Sequence, residues 1–472
     1  MFYKRLSIGA MIPWMFTLTI VFLFFFNISF DAVCFKADNT IYYKIFLVVV
    51  ASLPLMYLFD FAYFREQLVR KKLLILSLVS LLITLNFVSH TSFLFSIVFG
   101  VVVLINFLYD KKIYRPQVFH WLLLIYFAVN ALSLLWTKNL NEGLKLLGNI
   151  SPLVYIPLFF CFFKLNESDF KLIMLMMFRL ALFYAFYSVV SWIVTCNACH
   201  YAVFPWYISA ESTNGFDPVY AFAFGWTNHA HPTYNGFIML LGLAIGWYYI
   251  LKREVANKAI FTELIFLIIT TFLIAVFTDS RYMQLVWLIV NVSGFLYNIR
   301  NKKKLLVVSL FVFAVTAALG VYFFHTKINA FFNDPIRHSL YQAAFQSIHD
   351  NTYRGTGLGG MTQYINEDNP FFWRHVKGTP FTLKHPHNQV VGDLMQAGIL
   401  GLISILSIIV YLFYLSYRKR NWLLFIAFLL FFCLMNIESP LVLVRGIFTF
   451  ALVFCLMVAK PDVKTVNNRK EI

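Results

Sequence analysis

The sequence predicts an all-α polytopic membrane protein with about 12–14 transmembrane helices and one large, partly helical loop on the outer side. Three observations support this prediction. Of the 472 residues, 61% are hydrophobic and only 12% are charged. The mean hydropathy of +0.74 is well above that of a soluble domain. Apolar runs of about 20 residues, the length that crosses a hydrocarbon core, recur along the chain between charged or turn-forming clusters.

Fourteen apolar runs qualify as spans when each is counted separately. In chain order they are 9–29, 41–59, 73–89, 92–109, 118–137, 146–163, 172–195, 234–251, 259–277, 282–299, 305–324, 389–417, 422–437 and 440–459. We expect the run 389–417 to break near Gly398. Only two residues separate 73–89 from 92–109, and 146–163 contains two prolines, so twelve spans are an alternative. Either even number puts both termini on one side.

The basic residues predict the orientation, because Lys and Arg near span ends are retained in the cytoplasm. The assigned inner segments hold 25 of the 38 Lys and Arg residues. These segments are Lys4 and Arg5, then 65–72, 111–115, 164–171, 252–258, 300–304 and 418–420, and the tail from Lys460. The same basic loops, facing anionic lipid, account for most of the net charge of +17. We therefore predict no nucleic-acid partner. Both termini are therefore predicted to be cytoplasmic.

This topology divides the chain into three regions. Residues 1–324 form about eleven transmembrane helices, with a smaller outer loop at 196–232. Residues 325–388 form the large outer loop, and residues 389–472 form about three further helices and a short inner tail. The first apolar run lacks a small-residue cleavage site and is interpreted as an anchor span.

The large loop 325–388 concentrates groups that bind anions and transfer protons. It contains Arg337, Arg354, Arg374, Lys377 and Lys384, and the histidines His325, His338, His349, His375, His385 and His387. No other part of the chain has such a set. We therefore expect the functional site here, where imidazoles can exchange protons near neutral pH and guanidinium groups can bind phosphate.

Individual residues in and near this loop have specific predicted roles. Arg281 ends a four-residue turn between two spans, which would hold a cation at the outer membrane face. It could bind a lipid-linked phosphate, or it could instead pair with Asp279 or contact a lipid headgroup. Arg337 lies at the start of a helix predicted from about Ile336 to His349, beside free backbone N–H groups that favour an anion. The glycine-rich turn that includes Gly357 and Gly359 allows close backbone approach to a phosphate or sugar, but lacks the ending of a nucleotide P-loop.

Three other features are weaker. Cys196 and Cys199 have redox or metal spacing, but a structural disulfide is the simpler interpretation. His229 and His231 lie two apart in the smaller loop without a supporting carboxylate or cysteine, so no metal site is predicted. Arg179 lies inside the span 172–195, where it either faces a partner or extends towards the inner surface.

Four pieces of the chain together resemble the O-antigen ligase superfamily, which includes O-linked oligosaccharyltransferases and some surface-polysaccharide polymerases. The pieces are Ser133–Gly143, Ser280-Arg281, Arg337 with the Gly357 and Gly359 turn, and His387-Asn388 followed by Gly398 and Gly401. They extend over roughly residues 130–405. The apparent surplus of N-terminal spans departs from the usual twelve of that superfamily.

The resemblance implies glycosyl transfer at the periplasmic face of a bacterial inner membrane. The donor would be an undecaprenyl-diphosphate-linked glycan, the O antigen, and the acceptor a hydroxyl of the lipid A core. No cofactor, metal or ATP would be needed, since the diphosphate ester supplies the driving force. His387 would be the catalytic base, and Arg281 and Arg337 would bind the diphosphate. Accessory residues would be Asn388, Arg354, His385, Gly357 and Gly359.

Two alternatives are open at this point. A polymerase that joins repeat units on the same lipid carrier shares the donor chemistry, and the sequence barely separates it from a ligase. A transporter or flippase would require polar residues deep in several spans and usually internal repeats. Only Arg179 is deep in a span, so the transporter is the less favoured alternative.

Overall fold

The computed structural model describes residues 69–87, 89–198, 232–252, 258–277, 280–299, 307, 335–351, 353–363 and 385–459. Every regular element within these ranges is helical. Some predicted segments lie outside these ranges: the spans 9–29 and 41–59, nearly all of 305–324, and the loop residues 199–231. The predictions made for those segments are therefore not tested.

The helices agree closely with the predicted spans. They are α1 (Val69–Phe87), α2 (Ser89–Asp110), α3 (Val118–Leu132), α4 (Leu140–Ile150), α5 (Pro152–Phe159), α6 (Glu167–Ala198), α7 (Pro232–Lys252), α8 (Lys258–Phe277), α9 (Arg281–Ile299), α10 (Pro335–Asp350), α11 (Gly360–Gln363), α12 (Gln389–Arg418), α13 (Trp422–Ile437) and α14 (Val444–Val458). A short 3₁₀ helix, Ser133–Trp136, extends α3.

Four segments in the described part of the chain are long and apolar enough to cross a membrane. They are Ser92–Asp110, Val118–Trp136, Tyr282–Ile299 and Gln389–Arg418, and shorter apolar helices accompany them. On α2 most of the exposed side chains are apolar, among them Leu94, Ile97, Val101, Leu104 and Leu108. Apolar exposure along a whole helix is expected where lipid replaces water. The predicted class, an all-α multi-pass membrane protein, is confirmed.

The predicted span 146–163 is not one continuous helix. The structure divides it between α4 and α5, and a turn follows α5 at Phe160. Pro152 begins α5 because proline lacks an N–H and is tolerated at the first helical position, and Pro157 lies inside α5. The number of spans stays a prediction.

The described residues form two compact units. The first takes in the described parts of 69–115, 159–287 and 452–459. In this unit Arg179 on α6 pairs with Glu263 on α8, with Nη2 3.1 Å from Oε1 and both side chains buried. Pairing avoids the large free-energy cost of burying a single ion away from water. Glu263, which the sequence analysis did not identify, therefore explains the buried Arg179 without a catalytic role.

The second unit comprises 116–158 and the described parts of 288–451. Its centre is α12, which breaks at Gly398, where φ is 64° and ψ is −149°. The break predicted near Gly398 is therefore present. A Cβ on Gly398 would lie 2.1 Å from the Tyr353 carbonyl oxygen, so only glycine fits there.

The glycine-rich turn 353–360 supplies the hydrogen bonds that the break in α12 removes. The Thr356 N–H donates to the Met395 carbonyl (2.8 Å) and the Gly357 N–H to the Gln396 carbonyl (2.9 Å). In return, the Ile399 N–H donates to the Tyr353 carbonyl (3.1 Å). Polar backbone groups at a helix break need such partners in an apolar environment.

The segment Ser133–Gly143 supports the same turn from the other side. The Ser133 hydroxyl accepts from the Leu358 N–H at 3.1 Å. A Cβ on Gly143 would lie 2.5 Å from the Leu358 carbonyl oxygen, and one on Gly359 would lie 2.4 Å from the Gly143 nitrogen. Helix α10 packs against α11 and α12 through a hydrophobic cluster formed by Leu340, Ala344, Ile348, Met361 and Met395. Three separate sequence motifs thus form one packed structure.

Candidate active site

His387 lies at the start of α12 in a conformation that its neighbours enforce. Its φ is 53°, which a non-glycine residue adopts only where the surroundings compensate a cost of about 1–3 kcal/mol. Pro386 precedes it, and the Asn388 side chain caps α12 by accepting from the Val391 N–H at 3.1 Å. Asn388 is therefore the N-cap of α12, and the His387 imidazole is carried on a constrained backbone.

The His387 ring contacts a carboxylate from another helix. Its Nδ1 lies 3.1 Å from Oε2 of Glu438, the residue that follows α13. The Glu438 side chain is only 9% exposed, whereas that of His387 is 27% exposed. An ionised carboxylate can only accept, so the Nδ1–H is the donor and Nε2 retains its lone pair. This arrangement leaves His387 able to accept a proton through Nε2.

Helix packing brings these two residues together. Helices α12 and α13 pack side by side and are joined by a short turn after Arg418. The N-terminal end of α12 therefore lies beside the C-terminal end of α13. A Cβ on Gly392 would lie 3.6 Å from Pro386 Cγ and 3.7 Å from Ser439 Oγ. The turn that bears His387 and the turn that bears Glu438 therefore pack against the same glycine.

A buried polar network below the pair joins the two turns. The Gln389 side chain accepts from the Leu441 N–H at 2.8 Å and donates to Asp393 Oδ1 at 3.0 Å. The Tyr126 hydroxyl donates to the same Asp393 oxygen at 2.7 Å. A network whose members are buried and hydrogen-bonded specifies one arrangement, so it holds the His387 turn in register with the Glu438 turn.

The other predicted site residues are distributed as follows. His385 is buried, and its ring centroid lies 4.6 Å from that of His387. Arg281 is the first residue of α9, and Arg337 is the third residue of α10, the helix that packs on α12. The structure describes only the backbone of both arginines. Their binding role stays a prediction. Arg354 is exposed in the turn before the glycines.

The contacts of Gly357 and Gly359 indicate a packing role. The Gly357 N–H is bonded to the Gln396 carbonyl, and the space beside each glycine is occupied by protein atoms. Their φ values of 80° and 90° require glycine in any case. The backbone that approaches these glycines in the structure is that of the protein itself, and their accessory role towards a phosphate or sugar stays a prediction.

Sequence reasoning missed Glu438. A usable signal was present: between Gln389 and Ala459 the chain has only two acidic residues, Asp393 and Glu438. Glu438 falls in the turn between two predicted spans, on the side assigned to the large loop. A lone carboxylate there is a natural partner for an imidazole.

His385, His387 and Glu438 also form a cluster of metal-ligand type. One donor atom from each lies within 4.8 Å of the others. Two imidazoles and a carboxylate form a donor set found in zinc sites. The prediction that no metal is used is not tested by this geometry, which shows only that the three groups converge.

The described fold and site define a multi-pass membrane protein with a histidine–carboxylate pair at one end of a broken helix. Residues 265–406 match the family model described as O-Antigen ligase. This match supports membership of the O-antigen ligase superfamily, which the motifs predicted. This family consists of glycosyltransferase-like ligases and polymerases of surface-polysaccharide assembly, which implies a lipid-linked glycan donor. No curated protein matches the chain.

Proposed function

We propose that this protein is an O-antigen ligase, which transfers a glycan from undecaprenyl diphosphate to a hydroxyl of the lipid A core at the periplasmic face of the inner membrane. The observation that carries the proposal is the His387–Glu438 pair, with Nδ1 3.1 Å from Oε2 at the constrained start of α12. Under the predicted topology this end of α12 faces outward, where a lipid-linked donor and a lipid-anchored acceptor can meet.

In the proposed reaction Nε2 of His387 takes the proton of the acceptor hydroxyl. The acceptor oxygen forms a bond to the anomeric carbon of the glycan while the bond from that carbon to the diphosphate breaks, and undecaprenyl diphosphate leaves. Glu438 holds the ring through Nδ1 and stabilises the imidazolium that forms, as carboxylates do in other histidine-based sites. Arg281 and Arg337 are proposed to neutralise the diphosphate, which rests on the sequence resemblance.

Substitution of the two histidines tests the assignment of the base. We expect His387→Ala to lose transfer by at least about a hundredfold, the lower range of general-base catalysis. His385→Ala, the matched control two residues away, should lose less than about tenfold because no acceptor proton passes through it. The assay uses purified variants with lipid-linked glycan and lipid A core. A larger loss at His385 would reverse the assignment.

A gene deletion separates the ligase from the polymerase, the second function that the family match supports. Loss of a ligase leaves lipid A core uncapped while full-length chains accumulate on the lipid carrier. Loss of a polymerase instead leaves core capped by single repeat units. Gel analysis of lipopolysaccharide distinguishes the patterns, and capping by single repeats would reject the ligase.

A further inference from the structure

We infer that His385, His387 and Glu438 form a zinc-binding site, and that a bound Zn²⁺ inhibits the transfer reaction. The inference that binding inhibits rests on the proposed function, but the inference that the ion binds does not. One donor atom from each residue lies within 4.8 Å of the other two, and His387 Nδ1 lies 3.1 Å from Glu438 Oε2.

These distances are close to those of a coordinated ion. With Zn–N and Zn–O bonds of about 2.0–2.2 Å and tetrahedral angles, neighbouring donors are about 3.3–3.5 Å apart. The His387 and Glu438 atoms are already within a few tenths of an ångström of that separation. The donor of His385 is the one that must move further, by about 1.5 Å at most, which a side-chain rotation can supply.

The setting of the cluster also suits an ion. His385 and Glu438 are buried, whereas the half-buried His387 leaves one side open for entry and for a fourth ligand such as water. Pro386 and the Asn388 cap restrict the backbone that carries both imidazoles, so little ordering is needed on binding. Zn²⁺ is preferred to Mg²⁺ or Ca²⁺ because imidazole nitrogens supply two of the three donors.

Coordination changes which ring nitrogen of His387 carries the proton. Without metal, the Nδ1–H donates to Glu438 and Nε2 has the lone pair. When Zn²⁺ binds Nδ1, the proton of the neutral imidazole resides on Nε2. That atom can then no longer accept the proton of the acceptor hydroxyl. Zn²⁺ also withdraws the Glu438 carboxylate from the ring, so both contributions to the base are lost together.

The primary test is direct binding, independent of activity. Full-length protein is purified through a tag without histidine, stripped with a chelator and dialysed, then titrated with ZnCl₂ against a chromophoric zinc chelator. Cys196 and Cys199 are replaced by serine throughout, so that their thiols cannot contribute. We expect one equivalent of Zn²⁺ per chain, and an affinity at least about tenfold weaker in His385→Ala and in Glu438→Gln.

The chain offers a matched control in its other His-x-His pair. His231→Ala removes one imidazole from His229-Ala230-His231 and should leave zinc affinity unchanged. No stoichiometric binding, or loss of binding in His231→Ala rather than in His385→Ala, would overturn the site.

Activity then tests the inhibition. Saturating Zn²⁺ should slow transfer at least about a hundredfold, as removal of the base does, and chelation should restore it. His385→Ala should keep most of its own rate at the same Zn²⁺ concentration. Chelator-induced loss of activity in the parent protein would overturn the inhibitory role. If His387 proves not to be the base while the three residues still bind zinc, the proposed mechanism fails and the site stands.

Discussion

Replacing Glu438 by glutamine is the sharpest test of the histidine–carboxylate pair. The amide has almost the same shape as the carboxylate and can still accept from the His387 Nδ1–H, now 3.1 Å from Oε2. What disappears is the negative charge. Because Glu438 is buried against its neighbours, an isosteric change should leave the packing of α12 and α13 intact.

The magnitude follows from that lost charge. A hydrogen bond to a charged group is worth about 1 kcal/mol more than a neutral one, which sets the lower bound. The attraction between an imidazolium and a carboxylate about 4 Å apart, at an effective dielectric constant of about 20, is about 4 kcal/mol and sets the upper bound. The kcat of Glu438→Gln should therefore fall by roughly fivefold to a thousandfold.

The assay measures kcat and KM for the acceptor with purified protein in nanodiscs. The KM should change less than about threefold, because Glu438 acts on the ring of His387 and is not expected to touch the acceptor. Glu167→Gln, at an exposed ion pair with Lys171 on α6, is the control for the same chemical change and should be silent. A kcat for Glu438→Gln within threefold of the parent would refute the positioning role, and a rise in KM alone would make Glu438 a binding residue.

Three further outcomes are expected. Alanine at Arg281 or at Arg337 should abolish transfer while membrane levels stay normal, and lysine should restore it only in part, because it lacks the guanidinium fork; full activity of Arg281→Ala would instead favour a headgroup contact. Gly398→Ala should destabilise the protein by more than about 2 kcal/mol, because the added Cβ would overlap the Tyr353 carbonyl oxygen. In the control variant Gly148→Ala the added Cβ would have nothing within 4 Å, so the melting temperature should equal or exceed that of the parent. A reporter fused after Asp350 should score as external, and a cytoplasmic signal would reverse the topology.

The break in α12 shows which structural features the local sequence pattern can predict. Gly398 and Gly401 in an apolar run already predicted the interruption, because glycine is the residue that tolerates a left-handed backbone. The N-terminus of α10 at Pro335 and the Asn388 cap were equally predictable, since both depend on a residue and its immediate neighbours. The segment that hydrogen-bonds to the break was not predictable. The N–H groups of Thr356 and Gly357 are some 39 residues from the carbonyl groups to which they donate.

The sequence by itself therefore determined the membrane class, most of the described helices and the identity of His387 as the residue to test. These properties follow from apolar length and from short-range capping, which composition and spacing record directly. Tertiary structure decided what each polar residue contacts. Glu438 is 51 residues from His387, and Asp393 is 267 residues from Tyr126, and each contact exists only because helices pack side by side. Sequence spacing carries no information about such pairs, because in an apolar environment the polar partner of a residue is set by which helices pack together.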